Sequence, residues 1–404
     1  MSSSLQRQFL SNFYLHHQKL GDEHLAARRF DSALVAYAGA LELNPVNFLL
    51  IARLANLVKT TPEAHEFFGL LEDAVPNLLK ARGQSQPVYE LSHTASLLNR
   101  KIMEAYLACH TLPAIQTPFP ANIDQPKTLV LLTCVWGRPQ LTEIVLSYYQ
   151  KLRTQLAGQV NLVLLAVGSE GNASRTLCES FDFDYVEHPN LPLSDKWEAG
   201  LKAARQFEPD GVVTIGSDDL VSASLFTRYN QLLDDGVFFC GLVDAFFLDL
   251  VERNKLLHWH GYGGLAQERG MPWRLNETLG MGRLYSRVLL DWLDYSLWNG
   301  VHVNKGLDGA AKRRLYGLGM QPVLPRHTTP LVYQGASYQF GQLAYRMKDL
   351  DICALDVKSP AANVTQMASY NQHKEANTLR SDSWDFLMQV FPADTVEALK
   401  KLAL

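Results

Sequence analysis

The sequence predicts an α/β protein, a mixed and mostly parallel sheet flanked by helices, preceded by an all-α region of helical-repeat character. Three observations predict it. From Thr128 onward short apolar runs alternate with amphipathic helical segments. Residues 5–110 carry only helical spacing of apolar side chains. Between the two regions, Thr111 to Lys127 contains Pro113, Pro118, Pro120 and Pro126. Proline fixes φ and withholds an N–H, so no regular element is expected there. The expected organisation is a helical region over 1–110, a linker over 111–127, an α/β domain over 128–370 and a helical tail over 371–404.

Composition narrows the function. At 404 residues the chain exceeds the usual size of one core, and 47% hydrophobic with 19% charged residues is ordinary for a globular protein. A net charge of −4 without a basic stripe argues against a nucleic-acid partner. The five cysteines, Cys109, Cys134, Cys178, Cys240 and Cys353, are scattered and form no C-x-x-C pair, which excludes a zinc ribbon and fits reduced thiols. The stretch Met1–Arg7 lacks the apolar core of a signal peptide. The longest apolar run, Gly236–Val251, is interrupted by Asp244 and Asp249, so no transmembrane segment is expected. Together these features lead to the expectation of a cytoplasmic protein.

Within the helical region the clearest unit runs from Leu20-Gly21-Asp22 through Phe30-Asp31-Ser32-Ala33 and Tyr37 to Asn44-Pro45. It resembles one tetratricopeptide repeat, with a glycine at the tight packing point, a small-and-aromatic second helix and a closing proline. One unit cannot bury its faces alone. The resemblance implies a surface for a protein partner, for self-association or for an acceptor; the plainer reading is a packing accessory.

In the α/β region, Thr128–Val135 is a strand without polar alternation, as a parallel strand covered on both faces should be. Trp136-Gly137-Arg138-Pro139 makes the turn, and Pro139 opens a helix carrying Leu141, Val145, Tyr148, Tyr149 and Leu152. Asn161–Val167 and Phe183–Glu187 are further strands, and Ser194–Phe207 is a helix. Val212–Ile215 is a buried β-branched strand that stops at Gly216-Ser217-Asp218-Asp219, with Ser222 as a cap for the next helix. Val237–Val243 and Ala245–Val251 read as strands of a hairpin or mixed sheet. Lys255–Gly282 reads as a long loop rich in Gly, Trp, Tyr, His and Arg, and loops of that length are usually functional. Ser286–Leu297, Leu307–Leu315, Trp384–Val390 and Val396–Leu404 read as helices.

An apolar strand that ends abruptly in paired acids places hard oxygen ligands at its carboxyl end, where open α/β sheets bind ligands. Mg²⁺ or Mn²⁺ takes one or two such carboxylates and completes its shell with water and phosphate. The plainer reading makes Asp218 and Asp219 turn and cap residues.

The succession Thr133-Cys134-Val135-Trp136-Gly137-Arg138-Pro139, Gly168-Ser169-Glu170-Gly171, Leu193-Ser194-Asp195-Lys196-Trp197 and Val213-Thr214-Ile215-Gly216-Ser217-Asp218-Asp219 looks like a GT-A-fold glycosyltransferase, similar to the inverting family 2 group. The resemblance covers roughly residues 127–320. It implies a nucleotide-diphospho-sugar donor, UDP-sugar favoured, a glycan or protein acceptor and a Mn²⁺ or Mg²⁺ cofactor. It implies donor contacts from Thr133, Val135, Arg138, Ser169, Glu170, Lys196, Ser217 and Asp218, and metal ligation by Asp219 with Asp218. A late histidine, here His327, is a further candidate ligand. The resembled family carries an acid where this chain has Gly216. Asp308, opening Asp308-Gly309-Ala310-Ala311-Lys312-Arg313, is the candidate general base, with Glu277 and Asp291 as alternatives; an acid in a first helical turn is otherwise dipole-favoured. Trp259, Trp273 and Arg283 are candidate acceptor contacts, the tryptophans otherwise anchoring the loop. Lys196 is otherwise an exposed first-turn lysine, with Asp195 and Glu198 forming a capping box.

Two other readings remain at the sequence level. A sugar-1-phosphate nucleotidyltransferase would need a Gly- and Lys/Arg-rich phosphate loop after the first strand, whereas Trp136-Gly137-Arg138-Pro139 supplies one of each. A binding scaffold fused to a degenerate transferase is supported by the missing acid at Gly216.

Overall fold

The computed structural model describes residues 18–30, 125–251, 255–261, 277–316, 329–333, 336–359, 378–380 and 382–403, together with Ala33, Ala36, Tyr37, Ala40, Met320, Pro322 and Val323. The chain divides into two compact units, one formed by 1–113 with 266–275 and 312–322, the other by 114–265, 276–311 and 323–404. In the first, backbone is helical over 18–26. A Cβ on Gly21 would stand 2.5 Å from the Tyr37 ring, and Tyr37 donates to Asp22 Oδ1. The glycine is thus a close-approach position. The rest of the repeat-like region lies outside the described residues.

The second unit is α/β, with a mixed, mostly parallel central sheet flanked by helices. Its elements begin with β1 (Thr128–Cys134), α1 (Pro139–Gln155), β2 (Asn161–Gly168), α2 (Asn172–Glu179), β3 (Asp184–Glu187), α3 (Leu193–Ala204) and β4 (Gly211–Thr214). β1 runs between β2 and β4, parallel to both, and β3 continues the parallel set beyond β2. Leu129, Val130, Leu131 and Leu132 are fully buried, which explains the absence of alternation in β1. Each such side chain contributes on the order of 1.5–3 kcal/mol.

The chain then leaves this sheet. β5 (Asp219–Val221), α4 (Ser224–Asp234), β6 (Val237–Leu242), β7 (Ala245–Asp249), β8 (Lys255–Trp259), β9 (Arg283–Ser286), α5 (Arg287–Trp292) and α6 (Leu307–Tyr316) follow. After them come β10 (Pro322–Val323), β11 (Thr329–Tyr333), β12 (Ala336–Tyr345), α7 (Met347–Leu350), β13 (Ala354–Lys358), β14 (Thr378–Arg380), α8 (Ser383–Val390) and α9 (Ala393–Leu402). The large sheet has the order β10-β12-β6-β9-β4-β1-β2-β3 with β11 beside β12, and a second sheet has the order β14-β8-β7-β13-β5.

The chain departs from the expected pattern at four places. Of the two arrangements expected for β6 and β7, the hairpin is not formed: each strand lies in a mixed sheet, and the two sheets differ. The break falls at buried Asp244, whose Oδ1 accepts from Met347 N at 2.8 Å and whose Oδ2 lies 3.2 Å from His258 Nε2. Lys255–Gly282 is not loop throughout, since it opens with β8, paired to β7. Ser286 ends antiparallel β9 and caps α5, accepting from Leu289 N, so the helix expected over 286–297 is shorter and preceded by a strand. Ser222 likewise does not cap α4; Ala223 holds that position. The C-terminal helices pack on the α/β unit: Leu387, Val396 and Leu399 join its core and Lys151 pairs with Asp394. Among the described residues no helix is long and apolar enough to cross a membrane.

Candidate functional site

The acid pair lies where the chain crosses from one sheet to the other. β4 ends at Thr214, and Asp219 is already the first residue of β5. Tyr149 fixes this crossing from α1, its hydroxyl donating to Asp219 O and accepting from Val221 N, while Tyr148 donates to Val221 O. Asp219 Oδ2 accepts from Gly216 N at 2.7 Å. A Cβ at Gly216 would stand 2.7 Å from Asp219 Oδ2 and 2.8 Å from Asp218 Oδ1. A side chain in place of Gly216 would therefore oblige the carboxylates of Asp218 and Asp219 to move.

A third acid comes from elsewhere. Asp356 on β13 is the register partner of Asp219, and Val357 N donates to Asp218 O. Leu355 and Val357 are fully buried, whereas Asp356 and Lys358 alternate onto the other face and line the same cavity as Asp218 and Asp219. Lys358 Nζ donates to Asp356 Oδ2 at 2.6 Å, and Arg138 Nη1 pairs with Asp218 Oδ2 at 2.5 Å while Nη2 reaches Ser217 Oγ at 3.1 Å. Burial first, then Asp356 and Asp218, push the Asp219 carboxyl well above the usual carboxylate range, with Lys358 and the Gly216 N–H pulling back. Burial raises Asp356 to about 6, against the opposing pull of Lys358. Sequence reading missed Asp356 and Lys358; the acid–base alternation in Ala354-Leu355-Asp356-Val357-Lys358 was the signal.

The cavity beside these groups has a volume of about 590 Å³. Trp136 and Leu191, both exposed, stand on its wall, and Lys196 lines it from α3. Lys196 is fully buried rather than an exposed first-turn lysine: Nζ donates to Val135 O at 2.7 Å and to Asn190 Oδ1 at 3.2 Å. Burial lowers its pKa, opposed by Cys134, Glu170 and Glu187. Asp195 and Glu198 form no capping box. Asp195 takes His302 Nδ1 at 3.0 Å, and Glu198 Oε2 accepts from Leu297 N and Trp298 N. The first N–H groups of α3 instead go to Asn304 Oδ1 and Val303 O, tying down the segment that leads to Asp308.

The predicted residues therefore divide. Arg138, Lys196, Ser217, Asp218, Asp219 and Asp308 line this one cavity. Thr133, Val135, Ser169 and Glu170 lie at the ends of β1 and β2 but outside its wall. Thr133 is buried within β1, Val135 contributes its carbonyl to Lys196, and Glu170 accepts from Gly137 N. Trp259 is buried in the second sheet, edge-on to Phe247 at 5.8 Å, and is not an exposed acceptor wall. Arg283 is buried too, at 2% exposure. Glu277 is buried, and Asp291 lies on α5 beside Arg287. Trp273 and His327 lie outside the described residues.

Whether a divalent cation suits these residues can be judged from the carboxylates. Asp219 and Asp356 face each other, and Asp356 Oδ1 is buried without a hydrogen-bond partner. Asp218 is committed to Arg138. Among the described residues no group of three or more His, Cys, Asp or Glu is arranged to hold a metal ion. The protein would thus supply two carboxylates, Asp219 and Asp356, which is within the requirement of Mg²⁺ or Mn²⁺ when phosphate and water complete the shell. No family model matches this chain, and no curated protein is significantly similar to it.

Proposed function

We propose that the chain is an inverting glycosyltransferase that moves a sugar from a nucleotide-diphospho-sugar, a UDP-sugar favoured, to a glycan or protein hydroxyl. The observation that carries this reading is the lining of one cavity by the strand-end acids Asp218 and Asp219, the base candidate Asp308 and the cations Arg138, Lys196, Lys305 and Lys358. A sugar diphosphate is a concentrated anion, and its departure needs positive charge at the leaving oxygens. Arg138 and Lys358 line the cavity, each already paired with a carboxylate, so both are fixed in place before substrate arrives. Asp219 and Asp356 are the residues that would hold Mn²⁺ or Mg²⁺, whose bound form supplies Lewis-acid polarisation of the diphosphate. Asp308 takes the proton from the acceptor hydroxyl as that oxygen attacks C1. Trp136 on the cavity wall offers an aromatic face to a base or sugar ring. The region over 1–110 is the proposed docking module for acceptor or partner, and the setting proposed for the whole is cytoplasmic.

The test is a thermal-shift screen of UDP-glucose, UDP-galactose, UDP-N-acetylglucosamine and GDP-mannose, each with and without MnCl₂. A ligand bound only by the native state raises the midpoint with its concentration over its Kd, by about 2.7 kcal/mol of stabilisation at a hundredfold excess. A donor-specific rise that Asp219→Ala removes supports the reading. Identical midpoints across the panel, with and without Mn²⁺, would sink it.

A further inference from the structure

Arg283 opens β9 in register with Thr214 of β4, beneath the tip that carries the acids. At 2% exposure its guanidinium is costly to bury unless its N–H groups find acceptors. Nε donates to Thr278 Oγ1 at 3.0 Å and Nη2 to the Thr278 carbonyl at 2.5 Å. Two bonds to one residue set the plane of the fork. Nη1 then stands 3.4 Å from Asp308 Oδ1, whose side chain is 42% exposed. Burial would lower the Arg283 pKa, but Asp308 foremost, then Tyr285 and Glu277, outweigh it and hold the group charged.

The other side of Asp308 is equally constrained. A Cβ at Gly280 would stand 2.7 Å from Asp308 Oδ1. Gly280 is not among the positive-φ glycines, so what it provides is room rather than an unusual backbone. The platform it sits on is tied to β4: Thr214 Oγ1 donates to Gly280 O at 3.0 Å and Gly282 N donates to Thr214 O at 2.8 Å. The strand that delivers Asp218 and Asp219 therefore also anchors the seat of Asp308.

We propose that Arg283 is a positioning residue for Asp308: held by Thr278, it turns the carboxylate into the cavity, and Gly280 leaves the space in which the carboxylate lies. Arg283 is on this account not an acceptor contact. The proposal rests on the reading of Asp308 as the base. The other charged groups around the pair are Glu277 beneath Arg283 and Lys305 on the segment before Asp308. An arginine that only filled space would be replaceable by methionine without consequence for turnover.

The experiment uses the full chain with Arg283→Met, Arg283→Lys, Gly280→Ala, Asp308→Asn and the Arg283→Met/Asp308→Asn double variant. Urea midpoints measured without substrate read the pair directly, and non-additivity of the two single changes is expected. Donor hydrolysis is then followed on the four nucleotide sugars above with MnCl₂. Arg283→Met and Gly280→Ala are expected to lower kcat by roughly 10- to 100-fold with donor KM within about twofold, and Arg283→Lys to recover part of the loss. Gly280→Ala leaves the buried arginine intact, so it answers the question even where Arg283→Met does not fold. Additive urea midpoints overturn the proposal whatever turnover does, as does an Arg283→Met variant that raises KM at unchanged kcat. Non-additive midpoints combined with wild-type turnover by Asp308→Asn overturn the base reading instead, and with it the catalytic meaning of the pair.

Discussion

Asp356 of β13 faces Asp219 of β5 as its antiparallel register partner, so two carboxylates far apart in sequence line one cavity side by side. Like charges at that spacing oppose each other's ionisation, and a cation between them relieves the repulsion. Mn²⁺ binding, followed by electron paramagnetic resonance of the free ion, is expected to weaken at least tenfold in Asp219→Asn and in Asp356→Asn. Asp218→Asn should change it by less than about threefold, because Asp218 already holds Arg138. Loss in Asp218→Asn with binding unchanged in Asp356→Asn would mean that Asp218, and not Asp356, completes the site.

The same pair sets a pH dependence. Burial raises the folded pKa of each acid above its unfolded value, to about 6 for Asp356 and well above the usual carboxylate range for Asp219. The native state then binds more protons than the unfolded chain, so this contribution to stability is complete below pH about 4 and is lost as pH rises through 6. Without divalent cation, the thermal midpoint should fall between pH 5 and 7.5, and Asp219→Asn should flatten that fall. A midpoint that rises over the interval, unchanged by the substitution, contradicts the account.

Restoring an acid at the position that departs from the resembled motif should do harm. Gly216→Asp places a Cβ against both following carboxylates and adds a third charge to a crowded turn. The expected cost is about 1–3 kcal/mol of stability, as for other overpacked positions, readable by urea unfolding. A variant as stable as wild type would show that the turn has slack that the contacts do not suggest.

Lys196→Met should separate structure from binding. Its ammonium satisfies Val135 O and Asn190 Oδ1 in a buried place. Loss of one buried partner costs about 1–3 kcal/mol, so the midpoint falls. Trp136→Ala, at an exposed position, should leave the midpoint within about 0.5 kcal/mol of wild type yet abolish a donor-induced thermal shift. A Trp136→Ala protein that still responds fully to the donor removes the aromatic wall from the site.

Much of this was legible in the chain itself. Thr128–Val135 could only be an interior strand, since four successive leucine and valine side chains need cover on both faces. The abrupt end at Gly216-Ser217-Asp218-Asp219 marked one place where charge meets a strand tip, and Arg138, Lys196 and Asp308, named from the same reading, line one cavity with it. Those features are local: burial pattern, turn chemistry and helix starts are written within a few residues of where they act.

What only the tertiary structure decided is partnership. Asp356 and Lys358 alternate with apolar residues in a five-residue strand, but that alternation names no partner until β13 is laid beside β5. Arg283 reads as a surface recognition group and Trp259 as either that or a core anchor, and β9 and β8 take both inward, because pairing between strands distant in sequence determines which face of each is covered. A sequence states which side chains can bear charge. The register between its strands states which of them must bear it together.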